Sequence, residues 1–183
     1  MVIRKQVSIF ALKLVIKKKG TISPLFLYLI AMDQNLVKKL VDEAISENKL
    51  LFLIELSFLA GNKIKVVVDG DQGVSIKECI RISRYVAHNI DREEDFELEV
   101  TSPDISQPLT VIRQYQKNIN RVLKVKTEEG DIEGTLVNTS DKGIYLSWKS
   151  REPKPLGKGK VTVEKNAEIA FENIKEAKVK ITF

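Results

Sequence analysis

Residues 66–84 read VVVDGDQGVSIKECIRISR, and they pass from a β-branched run through an acidic glycine loop into a capped amphipathic segment. Val66, Val67 and Val68 end KIKVVV (63–68), which by composition and spacing is a strand. Asp69-Gly70-Asp71-Gln72-Gly73 has the residues of a turn. Ser75 followed by Glu78 forms a capping box: the serine hydroxyl accepts from an orphan amide of the first turn and the carboxylate reaches back to the serine amide. A helix is therefore predicted from Ser75, with Ile76, Cys79, Ile80, Ser83, Val86, Ala87 and Ile90 inward. The loop lacks both the EF-hand ligand pattern and the P-loop lysine, so it reads as a turn and helix cap rather than an ion or phosphate site. Cys79 reads as a core residue and His88, off the stripe, as a surface residue.

Upstream, LLFLIELSFLA (50–60) is predicted as a strand that turns at Gly61-Asn62 into KIKVVV, making a hairpin. Before it, Leu36, Val37, Leu40, Val41, Ala44 and Ile45 fall on one helical face, with Asp33 as N-cap and Asn48-Lys49 as the close. Downstream, FELEVTS (96–102) alternates like a half-buried strand. The order over 32–104 is α-β-β-α-β, a sandwich for which a short antiparallel sheet with both helices on one face is expected.

Pro103 and Pro108 bracket SPDISQPL (102–109), and a linker is expected over 105–112. RQYQKN (113–118) suits a helical turn. RVLKVKT (121–127), DIEGTLVN (131–138), IYLSW (144–148), VTVE running into EIAF (161–171) and AKVKITF (177–183) then read as short strands. Turns at Glu129-Gly130 and Asp141-Lys142-Gly143, and ENIKEA (172–177), connect them. A small closed SH3-like or Sm-like β-barrel over 113–183 is expected, which makes the chain α+β in two domains. KSREPKPLGKGK (149–160) reads as a protruding loop in which Lys149, Arg151, Lys154, Lys158 and Lys160, with Lys165 beyond, face a single acid, Glu152. It has two readings, a contact with RNA phosphate or a solvated loop. Trp148 and Tyr145 read as barrel core or rim, since no aromatic residues interleave the cations as base platforms do.

A net charge of +5 over 183 residues conceals an uneven distribution. Residues 32–108 hold nine basic and fifteen acidic side chains, a net of −6, whereas 109–183 hold fifteen basic and ten acidic, a net of +5. One cysteine and one histidine exclude an internal disulfide and a Cys/His zinc cage, and no cofactor is expected. Residues 1–31 carry six cations and no acid, and Lys13, the Lys17-Lys18-Lys19 triplet and Pro24 break their apolar runs below the ~18–20 residues needed to span a bilayer. The abrupt change in pattern at Met32 leads to the expectation that translation begins there, leaving 1–31 as a basic extension that is disordered or untranslated. An intact mass from the native cell that includes Met1 would overturn it.

Taken together, VVVDGDQGVSIKECIRISR (66–84), LEVTSP (98–103) and QPL (107–109) resemble the bacterial ribosome maturation factor RimP family, from about residue 34 to the C-terminus. The resemblance implies an N-terminal α/β domain, a C-terminal Sm-like barrel and no catalytic activity. It further implies a cytoplasmic, monomeric factor that binds the free 30S subunit, small-subunit ribosomal protein number twelve and 16S rRNA, and assists late assembly. Partner contacts are then expected at Asp69, Ser102, Pro103, Pro108, Leu109 and Arg113, with Lys149, Arg151, Lys154, Lys158 and Lys160. The family's Gly-Leu-Asp-Arg-Pro-Leu after Ser-Pro is replaced here by Asp104, Ile105, Ser106, Gln107, Pro108 and Leu109, so the Asp-Arg pair and its ionic linker contact are missing. In that frame the acidic half attracts a basic ribosomal protein and the basic half meets phosphate. A barrel that binds mRNA or tRNA outside ribosome assembly is the competing reading, and a hydrolase using Asp69 and Asp71 as paired carboxylates is a third.

Overall fold

The computed structural model describes residues 2–4, 24–90, 96–154 and 159–181, and the chain divides into two units, Met1–Pro103 and Asp104–Phe183. The first unit contains strand β1 (Val2–Arg4), helix α1 (Pro24–Ser46), strands β2 (Leu51–Leu59) and β3 (Lys63–Gly70), helix α2 (Ile76–Asn89) and strand β4 (Glu97–Thr101). α1 is longer than its apolar spacing predicts, for it begins at Pro24 and Asp33, expected as the N-cap, lies inside it. Proline is tolerated at a first helical position because the amide it lacks has no intrahelical acceptor there. The expectation for residues 1–31 falls mostly on 5–23, which lie outside the described residues.

β2 and β3 form the expected hairpin, and Gly61 (φ 78°) and Asn62 (φ 57°) take the left-handed conformations that these two residue types best tolerate. A register shift between Leu53 and Glu55 leaves Ile54 as an extra residue, a β-bulge that alternation alone does not reveal. The sheet order is β1-β4-β3-β2. Contrary to the expected antiparallel sheet, β3 and β4 run parallel, with Ile64 opposite Leu98 and Val66 opposite Val100. The reason is topological: α2 carries the chain back along the sheet, so the strands on either side of it point the same way.

Val37, Val41 and Ala44 of α1, Ile64, Val66 and Val68 of β3, Ile82 and Val86 of α2 and Leu98 of β4 are fully buried in one core. α2 sits differently from its predicted stripe. Ile76 is 79% exposed, Cys79 and Ile80 are half-buried, and Ile82 is fully buried. Ile76 is the first helical residue, in the turn that follows the loop, and α2 packs on α1 as well as on β4, which widens its buried arc to take in Ile82. Among the described residues the Ser83 hydroxyl, buried in this helix, has no hydrogen-bond partner.

The second unit contains helix α3 (Ile112–Lys117), strands β5 (Val122–Lys126), β6 (Asp131–Thr139), β7 (Gly143–Pro153) and β8 (Lys160–Ala170), a 3-10 turn (Phe171–Asn173) and strand β9 (Glu176–Val179). All neighbouring strands are antiparallel in the order β8-β7-β6-β5-β9. The expected barrel is therefore not closed by its ladders, because no pairing joins β8 to β9 among the described residues. β9 is only four residues long and spends its ladder on β5. The core still draws on both ends of the sheet: Ile169 of β8 and Ala177 and Val179 of β9 pack with Leu123, Val125, Leu136, Ile144 and Leu146.

The segment 149–160 also differs from expectation. Lys149 through Pro153 belong to β7 and pair rung by rung with Lys160 through Glu164 of β8, so the two ends of what reads as a loop belong to a two-stranded ribbon.

Candidate partner-binding surfaces

The acidic glycine loop is shaped from within. Asp69 is 4% exposed, and its Oδ1 accepts from the Gly70 amide at 2.8 Å. The Gly73 amide donates to the Gly70 carbonyl at 2.9 Å and the Asp71 amide to the Leu50 carbonyl at 3.0 Å. Gly70 is required by contact, because a Cβ there would lie 2.6 Å from the Gly73 carbonyl oxygen, whereas Gly73 is required by its φ of 86°. Asp71 is exposed while Asp69 is buried, so the two carboxylates do not share one environment.

Ser75 caps α2 as predicted, its hydroxyl accepting from the Glu78 amide at 3.3 Å. The reciprocal half of the box differs: Glu78 Oε2 accepts from Arg81 Nε at 3.0 Å and Nη2 at 2.8 Å. A charge-assisted pair one turn along outcompetes a neutral amide. Arg81 Nη1 also reaches α1, donating to the Ala44 carbonyl at 2.9 Å and to Glu47 Oε2 at 2.6 Å. Ala44 is in the last turn of α1, where carbonyls lack intrahelical donors. Tyr85 adds a hydroxyl donated to Glu43 Oε2 at 3.1 Å. Sequence reading missed this seam, although Glu78 and Arg81 at i,i+3 were a visible signal. Arg81→Ala is expected to destabilise the first unit by about 1–2 kcal/mol, since the bonds are charge-assisted but partly solvent-screened. Urea denaturation of the full chain checks it, and an unchanged midpoint would mean the seam contributes nothing.

At the start of the second unit, Asp104 Oδ1 accepts from both the amide and the hydroxyl of Ser106, each at 2.7 Å, and these bonds hold the Asp104 carboxyl below its ordinary range. The Ser106-Gln107 departure from the family pattern thus supplies a local turn, completed by the Gln107 amide on the Asp104 carbonyl at 3.0 Å. Ser102 and Pro108 are exposed, and Pro103, Leu109 and Arg113 are intermediate. The Leu109 amide donates to the Ala177 carbonyl of β9 at 2.8 Å, and its carbonyl accepts from the Tyr115 hydroxyl at 3.3 Å. Tyr115 meets Phe171 edge-on at 5.2 Å, and burial pushes its hydroxyl up to about 12. Buried Gln114 caps α3, its Oε1 accepting from the amides of Thr110 at 2.7 Å and Val111 at 3.2 Å. Of the residues expected at a partner surface, Asp69 and Leu109 thus have internal structural work.

Two groups of basic residues in the second unit differ in character. On β5 and β9, Lys126 and Lys178 both reach Glu176, at 2.7 and 2.5 Å, and hold its carboxyl at about 2. Lys180 pairs with Glu133. On the ribbon, antiparallel register sets Lys149 opposite Glu164, Arg151 opposite Thr162 and Pro153 opposite Lys160. Alternation therefore puts Lys149, Arg151 and Lys160 on one face, and Trp148, Ser150, Glu152, Val161, Val163 and Lys165 on the other. Among the described residues Lys149, Arg151, Lys154 and Lys160 make no ion pair and are exposed, whereas Lys165 pairs with Glu152 on the second face. Lys158 lies outside the described residues. Trp148 packs over Gly134, where a Cβ would come 3.4 Å from its ring, and joins the core.

These features define a protein of two α+β units, and residues 40–106 match the family model described as the RimP N-terminal domain. The ribosome maturation factor RimP of Christiangramia forsetii is 55% identical over 148 residues, covering 80% of this chain and 97% of its own length. That of Flavobacterium psychrophilum is 50% identical over 148 residues (80% and 96%), and that of Porphyromonas gingivalis 35% over 149 residues (80% and 97%). The chain belongs to the RimP family.

Proposed function

We propose that this protein is a cytoplasmic, non-catalytic ribosome maturation factor that binds the free 30S subunit or its precursor and assists its late assembly. The observation that carries this reading is its similarity to RimP proteins across nearly their whole length. In this reading the chain acts as a monomer and its second unit is an open Sm-like barrel turned toward 16S rRNA. The acidic first unit faces small-subunit ribosomal protein number twelve, and the segment around Ser102, Pro103, Pro108, Leu109 and Arg113 lines the partner surface. Charge supports the division, since residues 32–108 carry a net of −6 and 109–183 a net of +5.

Sucrose-gradient fractionation tests it: the protein is expected with free 30S particles and absent from 70S, and deletion of its gene is expected to accumulate 16S precursor. Association with mRNA or tRNA and an unaltered 30S profile would overturn it in favour of a general RNA-binding barrel.

A further inference from the structure

The cations of the second unit are not equivalent, and the difference lies in what surrounds them. Lys126, Lys178 and Lys180 sit in a field of Glu133 and Glu176 with which they pair, and Lys124 lies directly opposite Glu133 in the β5–β6 ladder. A polyanion approaching them must first displace those carboxylates. The ribbon is arranged otherwise. From the core outward, the rungs of its outer face run Tyr145–Glu168, Ser147–Asn166, Lys149–Glu164, Arg151–Thr162 and Pro153–Lys160. Glu168 is engaged by the Tyr145 hydroxyl at 2.7 Å and Glu164 by the Ser147 hydroxyl at 3.2 Å. Charge thus passes from acidic near the core to wholly cationic in the last two rungs, and exposed Lys154 follows directly.

We infer that the outer face of the β7–β8 ribbon, through Lys149, Arg151 and Lys160, grips RNA phosphates without reading bases. This rests on the proposed ribosomal role and narrows it to one surface and one chemistry. Lys149 and Arg151 are two residues apart on one strand and Arg151 and Lys160 are diagonal across the ladder, so the cations are spaced by roughly 7–8 Å. Flexible side chains at that spacing follow a phosphodiester chain. The guanidinium supplies a planar fork that matches a phosphate's two oxygens. Among the described residues no aromatic ring stands between the cations: Tyr145, on this face, lies two rungs inward of Lys149 with its hydroxyl engaged by Glu168, and Trp148 lies on the other face, packed over Gly134. Contact limited to phosphates is sequence-independent and governed by counterion release.

The test measures binding of the full chain to purified 30S subunits and to a protein-free 16S transcript across a salt series. The wild type is compared with a Lys149→Gln/Arg151→Gln/Lys160→Gln variant and with a Lys124→Gln/Lys126→Gln/Lys178→Gln variant, each checked for fold by circular dichroism. Loss of three phosphate contacts is expected to flatten the log–log salt slope on both probes by about 2 to 3 in the ribbon variant. The β5–β9 variant is expected to keep the wild-type slope. A ribbon variant that retains the slope, or a β5–β9 variant that loses as much, overturns the inference. So does a ribbon variant that weakens on 30S but not on the naked transcript, which would assign the face to an acidic protein surface. A wild type that binds the transcript through the ribbon yet ignores 30S would sink the maturation role and leave the ribbon's chemistry standing.

Discussion

Gly143→Ala is expected to destabilise the second unit by about 3 kcal/mol, near the upper end for overpacking. A Cβ at Gly143 would lie 2.3 Å from the Ile169 carbonyl oxygen, 2.9 Å from Ala170 Cα and 3.0 Å from the Ile169 carbonyl carbon. All three are backbone atoms of β8, so no side-chain rotation relieves the overlap. The strands must separate where Gly143 pairs with Ala170 and Ile144 with Ile169, and both isoleucines belong to the core. For a unit of this size the loss corresponds to a melting-point drop of roughly 15 °C. Thermal denaturation of the full chain measures it, and a drop of under about 4 °C, the effect of less than 1 kcal/mol, would show that β8 yields at little cost.

Gly143 also illustrates what the sequence conveys. Asp141-Lys142-Gly143 is legible as a turn, but the reason glycine stands there is a strand 27 residues away that no local pattern reports. Where a residue's role is local, the reading succeeds. Gly61-Asn62 turns the hairpin and Ser75 caps α2, because a φ angle and a cap bond depend on near neighbours. Where the role depends on packing, the reading fails in predictable ways. Ile76 fits the helical stripe by spacing, yet it is the first residue of α2 and stays exposed, while Ile82 is buried in a helix that packs on α1 as well as on β4.

The candidate site follows the same division. The cations at 149–160 and their Gly and Pro residues are plain in the sequence, but the ribbon that sorts them by face is not. Alternation signals a strand only when one face meets a core. Lys149 through Pro153 extend beyond Trp148, the last β7 residue packed on the core, so the outer part of β7 carries polar residues on both faces and resembles a loop. Val161 and Val163 left the signal on β8, and pairing β8 with β7 was the missing step. The Arg81 seam was missed for a different reason, since its value lies in reaching Ala44 and Glu47 from another helix.

Leu98→Ala is expected to cost the first unit about 3–4 kcal/mol, from lost transfer free energy and from the cavity left behind. Leu98 is fully buried in β4, paired with Ile64 of β3 on one side and Ile3 of β1 on the other. Its neighbours along the strand, Glu97 and Glu99, belong to the opposite face, where Lys63 Nζ bonds them at 3.2 and 3.4 Å. Those bonds raise the Lys63 pKa, but they are exposed to solvent and screened by salt. The two faces of one strand therefore make separable predictions. The loss from Leu98→Ala is expected to be the same at 0.05 and 0.5 M salt within about 0.5 kcal/mol, because a cavity carries no charge. Leu59→Ala, at a 47% exposed position on β2, is expected to change stability by less than about 0.5 kcal/mol. Urea denaturation of both variants at the two salt concentrations separates the terms. A Leu98→Ala loss that shrank with salt would mean that the Lys63–Glu97–Glu99 ladder, and not the buried leucine, holds β4 against β3.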